Sequence, residues 1–172
     1  MRALILKTFV LLALLGAAAR SYADIDLLRS DQDGFVNDKE YSRRSDMIIV
    51  GKRDFIGVFE FELKSKRKLD KAILVLNVED VRKPGEFALY HLLSFNNGRA
   101  EVQDFFAAGD LVRKVKINGK GPLQFDITKA VNQDISGPGM FTSYKLVPVD
   151  DGEIIINSFD SGKDCAVIRT EP

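Results

Sequence analysis

Side-chain polarity alternates with a period of two residues along most of the chain, and this alternation constrains the fold more than any other feature. Phe55, Phe59 and Phe61 fall on one face of a segment over 55–63, and Glu60 and Glu62 fall on the other. Such alternation is typical of a strand with one buried face, so the pattern predicts an outward acidic end. The segment 72–78 is apolar on both faces, which predicts a central strand.

Further strand patterns follow, separated by turns rich in Gly, Pro and Asn. They cover 46–50, 86–93, 112–117, 123–127, 140–148, 153–159 and 165–170. Two short helices are predicted over 101–107 and 128–132, the second with Asp126 as a candidate cap. About nine or ten short strands in one domain predict an all-β fold, a two-sheet antiparallel β-sandwich of jelly-roll type.

The first 23 residues have the pattern of a secretory signal peptide. Arg2 and Lys7 supply a basic start, residues 9–19 are apolar, and Ser21 and Ala23 are small residues at the two positions that precede a cleavage site. The apolar run is shorter than the roughly 20 residues that span a bilayer. We therefore expect residues 24–172 to be a single secreted domain, extracellular or periplasmic, without a membrane span; retention as an uncleaved anchor is the alternative.

Charge and cysteine content exclude several classes of protein. The chain has 25 basic and 25 acidic residues, and the predicted cleavage removes three bases and no acid. A slightly acidic domain has no overall attraction to nucleic acid, so we expect no nucleic-acid partner. Cys165 is the single cysteine, which rules out an intramolecular disulfide. Its position in a strand pattern predicts a buried thiol.

The order of several short motifs resembles that of the DNRLRE family. Asp33-Gly-Phe-Val36 is similar to the opening segment of that family, Met47-Ile-Ile-Val-Gly51 to a following strand that ends in Val-Gly, and Val58-Phe-Glu-Phe-Glu-Leu63 to the next strand. Lys71-Ala-Ile-Leu-Val-Leu-Asn-Val78 continues the series, and the most specific motif is Leu123-Gln-Phe-Asp-Ile-Thr-Lys-Ala-Val131. The resemblance covers nearly all of residues 24–172.

This resemblance implies a secreted jelly-roll sandwich related to disaggregatase-repeat domains, some of which act as carbohydrate-binding modules. The sequence departs from the family pattern at Glu60, where Arg is frequent, and near Asp134, where Trp is frequent. The tryptophans of the middle segment are also missing, because the chain contains no Trp. A shared fold does not by itself carry a shared ligand.

Candidate catalytic residues are few. His91 is the only histidine, and the adjacent Tyr90 points to the opposite face of the same strand, so the two are poorly placed to act as base and acid. Glu60 and Glu62 have a spacing that a glycosidase pair allows, but two outward acids on a strand are usually a solvated face. We expect no enzymatic activity. A lyase or hydrolase would require His91 to lie beside a Tyr or Lys in a cleft.

The candidate ligand-binding residues are Tyr41, Arg43, Arg44, Lys52 and Arg53, which flank one predicted strand. Guanidinium groups form paired hydrogen bonds with carboxylates or sulfates of acidic polysaccharides, and a tyrosine ring stacks on a sugar. A solvated loop paired with nearby acids is the alternative interpretation.

Candidate metal ligands are Asp31 and Asp33, which precede a Gly turn. Asp160 and Asp164 flank the last predicted strand, which in a sandwich can lie close to the first. Ca²⁺ prefers such oxygen ligands, so a structural Ca²⁺ is the cofactor that the pattern allows. Ordinary Asp-rich turns are the alternative.

These observations favour a secreted, non-catalytic carbohydrate-binding module for an acidic or matrix polysaccharide or a cell-surface glycan. The alternative is a structural or adhesive extracellular protein that binds other proteins. A groove lined by aromatic and basic side chains would favour the first function, and an open hydrophobic edge strand would favour the second.

Overall fold

A computed structural model describes residues 26–29, 32–42, 47–51, 54–65, 67–94, 97–162 and 165–171. Over these ranges the chain forms two antiparallel sheets and two short helices, which confirms the predicted all-β sandwich. The predicted signal peptide lies outside the described residues.

One sheet contains six strands. They are β1 (Asp26–Arg29), β4 (Met47–Val50), β6 (Lys71–Lys83), β9 (Gly121–Asp126), β11 (Glu153–Asn157) and β12 (Val167–Glu171). The long strand β6 organises this sheet. Its residues 73–75 pair with both β9 and β12, so these two strands lie on opposite edges of β6. Farther along, β6 pairs with β11, which pairs in turn with β4.

The other sheet also contains six strands, in the order β3-β2-β5-β10-β7-β8. They are β2 (Gln32–Val36), β3 (Tyr41–Ser42), β5 (Ile56–Glu62), β7 (Gly85–Leu92), β8 (Gly109–Ile117) and β10 (Phe141–Pro148). The four strands β4-β11-β6-β9 therefore face the four strands β5-β10-β7-β8, and the chain crosses between the sheets at eight of the eleven connections between consecutive strands. This is the two-Greek-key arrangement of a jelly roll.

The core lies between the two sheets and is almost entirely apolar. Aromatic rings from the β5-β10-β7-β8 side pack against aliphatic side chains from the opposite sheet. The largest fully buried side chains are Tyr144, Phe59, Phe61, Phe87, Phe125, Ile48, Leu74, Leu76, Leu89, Leu92, Ile117 and Ile127. As predicted, β6 is buried on both faces over much of 72–78, and Cys165 is buried.

The helix α1 (Val102–Phe106) and the segment before it cover part of the outer face of the second sheet. Ala100 and Phe105 pack there on a small apolar cluster of Val36, Ile56 and Val58. The ammonium group of Lys145 donates hydrogen bonds to carbonyl groups at the end of α1, which holds the helix on the sheet.

This cover changes the interpretation of Glu60. The alternation of β5 predicted an outward acidic end, but Glu60 is 1% exposed, so that prediction is wrong for this residue. Burial, followed by the negative charge of Asp104, raises the pKa of Glu60 to about 8. The polar groups of Gly98, Arg99 and Ser143 near the carboxylate oppose the shift. A cover donated by a distant segment is invisible to the period-two pattern.

The buried Glu60 predicts a specific pH dependence of stability. Because its pKa is about 8 in the folded protein and 4.5 in the unfolded chain, the cost of burying Glu60 is absent below about pH 4.5 and grows until pH 8. Glu60→Gln removes this cost, so it should stabilise the protein relative to the wild type. The gain in the free energy of unfolding should be larger at pH 8 than at pH 5, by on the order of 3 kcal/mol. Urea denaturation at the two pH values measures this difference.

The control is Glu62→Gln, the same change two residues along the strand at a position that is only half-buried. We expect it to give the same difference from the wild type at both pH values. If the two variants showed the same change in their free energy of unfolding, relative to the wild type, between pH 5 and pH 8, the raised pKa of Glu60 would be contradicted.

Candidate functional site

The helix α2 (Thr128–Ser136) follows β9 and is anchored at its start by a chain of hydrogen bonds. Asp126 accepts hydrogen bonds from the backbone N–H of Thr128 at 3.0 Å and from its hydroxyl at 2.7 Å. The Thr128 hydroxyl oxygen accepts in turn from the N–H of Ala72 at 3.0 Å. These bonds lower the pKa of Asp126, so its carboxylate stays charged at neutral pH. The start of α2 is thereby tied to the start of β6.

A second anchor lies in the middle of α2. The side-chain amide of Asn132 accepts a hydrogen bond from the N–H of Leu69 and donates one to its carbonyl oxygen, both at 2.8 Å. Val131 and Ile135, on the same side of the helix, are buried in the main core. Their burial turns the opposite side of α2 toward solvent.

That outward side of α2 forms one wall of a cleft, which we call the α2 cleft. Three residues of α2 line this wall at helical spacings of one, three and four residues: Lys129, Ala130 and Gln133. Asp126 and Ile127, which precede the helix, also line it. The opposite wall is formed by Asp110, Leu111 and Val112 of the edge strand β8, and His91 of β7 borders the cleft. The volume is about 220 Å³. The cleft therefore lies where the edge strands β8 and β9 of the two sheets separate.

His91 is fixed by a carboxylate of α2. Its Nε2 lies 2.8 Å from Oδ2 of Asp134, and its ring centroid lies 5.6 Å from that of Tyr144 on the neighbouring strand β10. The imidazole is 2% exposed. Burial raises the pKa of Tyr144, whose hydroxyl accepts a hydrogen bond from Thr142. Tyr144 therefore stays a neutral phenol in the core, whereas His91 lies at the border between core and cleft.

Of the sequence-predicted ligand residues, the structure describes Tyr41 alone and separates it from this cleft. Tyr41 lies on β3 and is half-exposed, at the opposite edge of its sheet from β8. Five strand spacings separate these edges, which corresponds to about 24 Å. Arg43, Arg44, Lys52 and Arg53 lie outside the described residues, so the predicted aromatic and basic site stays a prediction.

Of the two predicted metal ligands, Asp31 lies outside the described residues and Asp33 lies on β2. Oδ2 of Asp33 accepts a hydrogen bond from the N–H of Phe159 at 2.9 Å, at the start of the 3₁₀ turn Phe159–Ser161. Burial, with a smaller effect of the nearby Asp160, raises the pKa of Asp33 to about 7. The predicted closeness of the first and last segments is thus present, although the part of the chain that the structure describes contains no group of three metal-ligating side chains.

Sequence reasoning missed the α2 cleft. It singled out His91, Asp126 and Asp134 separately, and Asp110, Lys129 and Gln133 not at all. The available signal was a helical pattern with Lys129 and Gln133 on one face and Val131 and Ile135 on the other, preceded by Asp126. Nothing local in the sequence indicated that this face would lie opposite β8.

No protein-family model matches the chain, and a search of curated proteins also finds no match. The resemblance to DNRLRE domains therefore stays a prediction. Of the helices in the described ranges, neither is long and apolar enough to cross a membrane.

The neighbouring side-chain amides of Asn132 and Gln133 should contribute differently to stability, because Asn132 anchors α2 and Gln133 lines the cleft. Asn132→Ala leaves the N–H and carbonyl group of Leu69 without their side-chain partner, so it should lower the free energy of unfolding by about 2 kcal/mol. Gln133→Ala, on the cleft side, should change it by less than about 0.5 kcal/mol. Urea denaturation measures both variants, and an equal loss in the two would contradict the assigned roles.

Proposed function

We propose that the protein is a secreted, non-catalytic carbohydrate-binding module and that the α2 cleft is its binding site. The observation that carries the proposal is the lining of the cleft. Its polar groups, Asp110, Asp126, Lys129 and Gln133, stand beside the apolar side chain of Leu111. A sugar ring has the same combination of hydroxyl groups and apolar C–H faces, and pockets of this mixed kind orient small ligands.

The size of the cleft supports a small ligand unit. Pockets for drug-sized molecules have volumes of roughly 300–1,000 Å³. The α2 cleft, at about 220 Å³, is smaller and is open at the surface. Such a site suits one residue of a chain whose neighbouring residues extend into solvent.

The surroundings of His91 favour binding over catalysis. The lyase alternative requires His91 beside a Tyr or Lys in a cleft, and the structure meets this condition only in part. Tyr144 lies beside His91, but its hydroxyl is fully buried and has a raised pKa. Lys129 lines the same cleft, whose two carboxylates, Asp110 and Asp126, would repel the anionic sugar that a lyase eliminates.

The edge strand β8 gives less support to the adhesive alternative. Its exposed residues include Arg113, Lys114 and Lys116 as well as Leu111. Cationic side chains on an edge strand oppose pairing with the strands of other proteins. A cleft beside a protected edge therefore favours a small-molecule or glycan ligand.

The test is binding of residues 24–172 to a panel of immobilised neutral and acidic polysaccharides. Saturable binding is expected, and the double substitution Lys129→Ala/Gln133→Ala should weaken it about 10-fold or more, because two hydrogen-bonding groups are lost. The matched control is Lys116→Ala, which removes a cation from β8 away from the cleft lining. Sugar products assayed in the same samples should not accumulate. Loss of binding in the control alone would contradict the assigned site.

Arg43→Ala/Arg44→Ala tests the sequence-predicted basic site in the same assay. If the α2 cleft is the binding site, this variant should bind as the wild type does. Loss of binding in this variant, with no effect of the cleft substitutions, would place the site at the basic stretch. Binding to no polysaccharide by folded protein would favour the structural or adhesive function.

We also propose that a structural Ca²⁺ binds near Asp33. Its carboxylate and that of Asp160 are close enough for mutual repulsion, which a cation would relieve. Millimolar Ca²⁺ should then raise the melting temperature at pH 8 more than at pH 5, since Asp33, with a pKa of about 7, is protonated at the lower value. Mg²⁺ is the control cation. Absence of the effect, or its persistence in Asp33→Asn, would contradict the proposal.

A further inference from the structure

The hydrogen bond between His91 and Asp134 determines which ring nitrogen of His91 carries a proton at the border of the cleft. A carboxylate only accepts hydrogen bonds, so the 2.8 Å contact places a proton on Nε2 of His91. In a neutral imidazole the other nitrogen, Nδ1, is then an acceptor. Among the described residues no group hydrogen-bonds Nδ1, and this atom is not sealed within the core. Because His91 lines the α2 cleft, a neutral imidazole would offer this acceptor to a ligand there.

The other polar groups of the cleft are also mainly acceptors. The carboxylates of Asp110 and Asp126 accept hydrogen bonds, Lys129 donates them, and the amide of Gln133 does both. Two negative charges and one positive charge line the cleft, and the carboxylate of Asp134 lies behind His91. Both the excess of acceptors and the charge favour a ligand that donates hydrogen bonds and carries no negative charge.

Resting on the proposed carbohydrate-binding function, we infer that the α2 cleft takes a neutral sugar residue, with one hydroxyl donating to Nδ1 of His91. Uronic acids and sulfated sugars are excluded from the cleft by Asp110 and Asp126. This specificity differs from that of the basic stretch predicted from sequence, which suits acidic polysaccharides. His91 is a specificity-determining residue in this scheme, and Asp134 is a positioning residue that sets its tautomer.

The experiment uses residues 24–172 with any affinity tag removed, so that His91 is the only histidine in the sample. Oligosaccharides of neutral hexoses and of N-acetylglucosamine are compared with oligogalacturonate and a sulfated oligosaccharide by calorimetry. In parallel, the ¹⁵N chemical shifts of the imidazole report its tautomer and any hydrogen bond to Nδ1. The wild type should bind one of the neutral sugars and neither acidic one, and the bound sugar should shift the Nδ1 resonance.

Asp134→Asn tests the role of the tautomer with little change in side-chain shape. The amide group can donate to Nε2, which moves the ring proton to Nδ1 and turns the acceptor into a donor. Affinity for the neutral sugar should fall about 10-fold or more, with the tautomer change visible in the ¹⁵N spectrum. Asp110→Asn removes one negative charge from the cleft and should reduce the discrimination against oligogalacturonate. Lys116→Ala is the control and should change neither property.

The outcomes separate the two proposals. Preferential binding of an acidic sugar would leave the carbohydrate-binding function standing and overturn the inferred specificity. Binding of a neutral sugar without a shift of the Nδ1 resonance would overturn the role of His91, and this measurement needs only wild-type protein. Binding of no sugar at all would overturn the proposed function and the inference with it.

Discussion

The position of helix α2 depends on a few hydrogen bonds to the backbone at the start of β6, and the geometry of the cleft depends on that position. Thr128 accepts from Ala72, and Asn132 bonds both polar groups of Leu69. Apolar burial of Val131 and Ile135 holds the helix against the core but is non-directional. Directional bonds set which residues turn outward. They place Lys129 and Gln133 opposite β8 and bring Asp134 within reach of His91.

The outer face of the sheet β3-β2-β5-β10-β7-β8 is covered in a different way, by the short segment around α1. The segment around α1 buries Glu60 together with Asp104, and the polar surroundings of Glu60 include backbone donors from Gly98 and Arg99. Burial of a charged carboxylate is costly, and the acid responds by retaining its proton. The sheet therefore has two unlike faces, one forming the apolar core and one closed by a small cover over a titratable group. Stability near neutral pH is lower than the apolar core alone would give.

Sequence reasoning reached the fold but not the site, for a physical reason. Strand alternation and turn residues are local properties, so the nine predicted strands and both helices are present. Two of them extend well beyond the predicted bounds: β6 continues to Lys83 and not to residue 78, and α2 continues to Ser136 and not to residue 132. The short strands β1, β2 and β3 were not recognised as strands, because residues such as Asp33 and Gly34 are typical of turns and pair only through the rest of the sheet. The burial of Glu60 and the approach of β8 to α2 arise from contacts between distant segments. No local pattern encodes them.

The motifs that carry the resemblance have structural roles in this protein. Gly51 has φ of 107°, and a Cβ atom there would lie 1.9 Å from the carbonyl oxygen of Gly152, so only glycine fits. A Cβ atom at Gly34 would lie 2.3 Å from the carbonyl oxygen of Ser42 on the paired strand β3. Asp126 and Thr128 anchor α2.

These residues help to specify the jelly roll and the placement of the helix, whatever the ligand. Of them, only Asp126 also borders the cleft. Asp110 and Lys129, which give the cleft much of its charge, lie at exposed positions where the fold tolerates side chains of different polarity. Two chains that share the motifs can therefore share the fold and differ in what the cleft binds. The lining of the cleft, and not the shared fold, therefore determines the ligand.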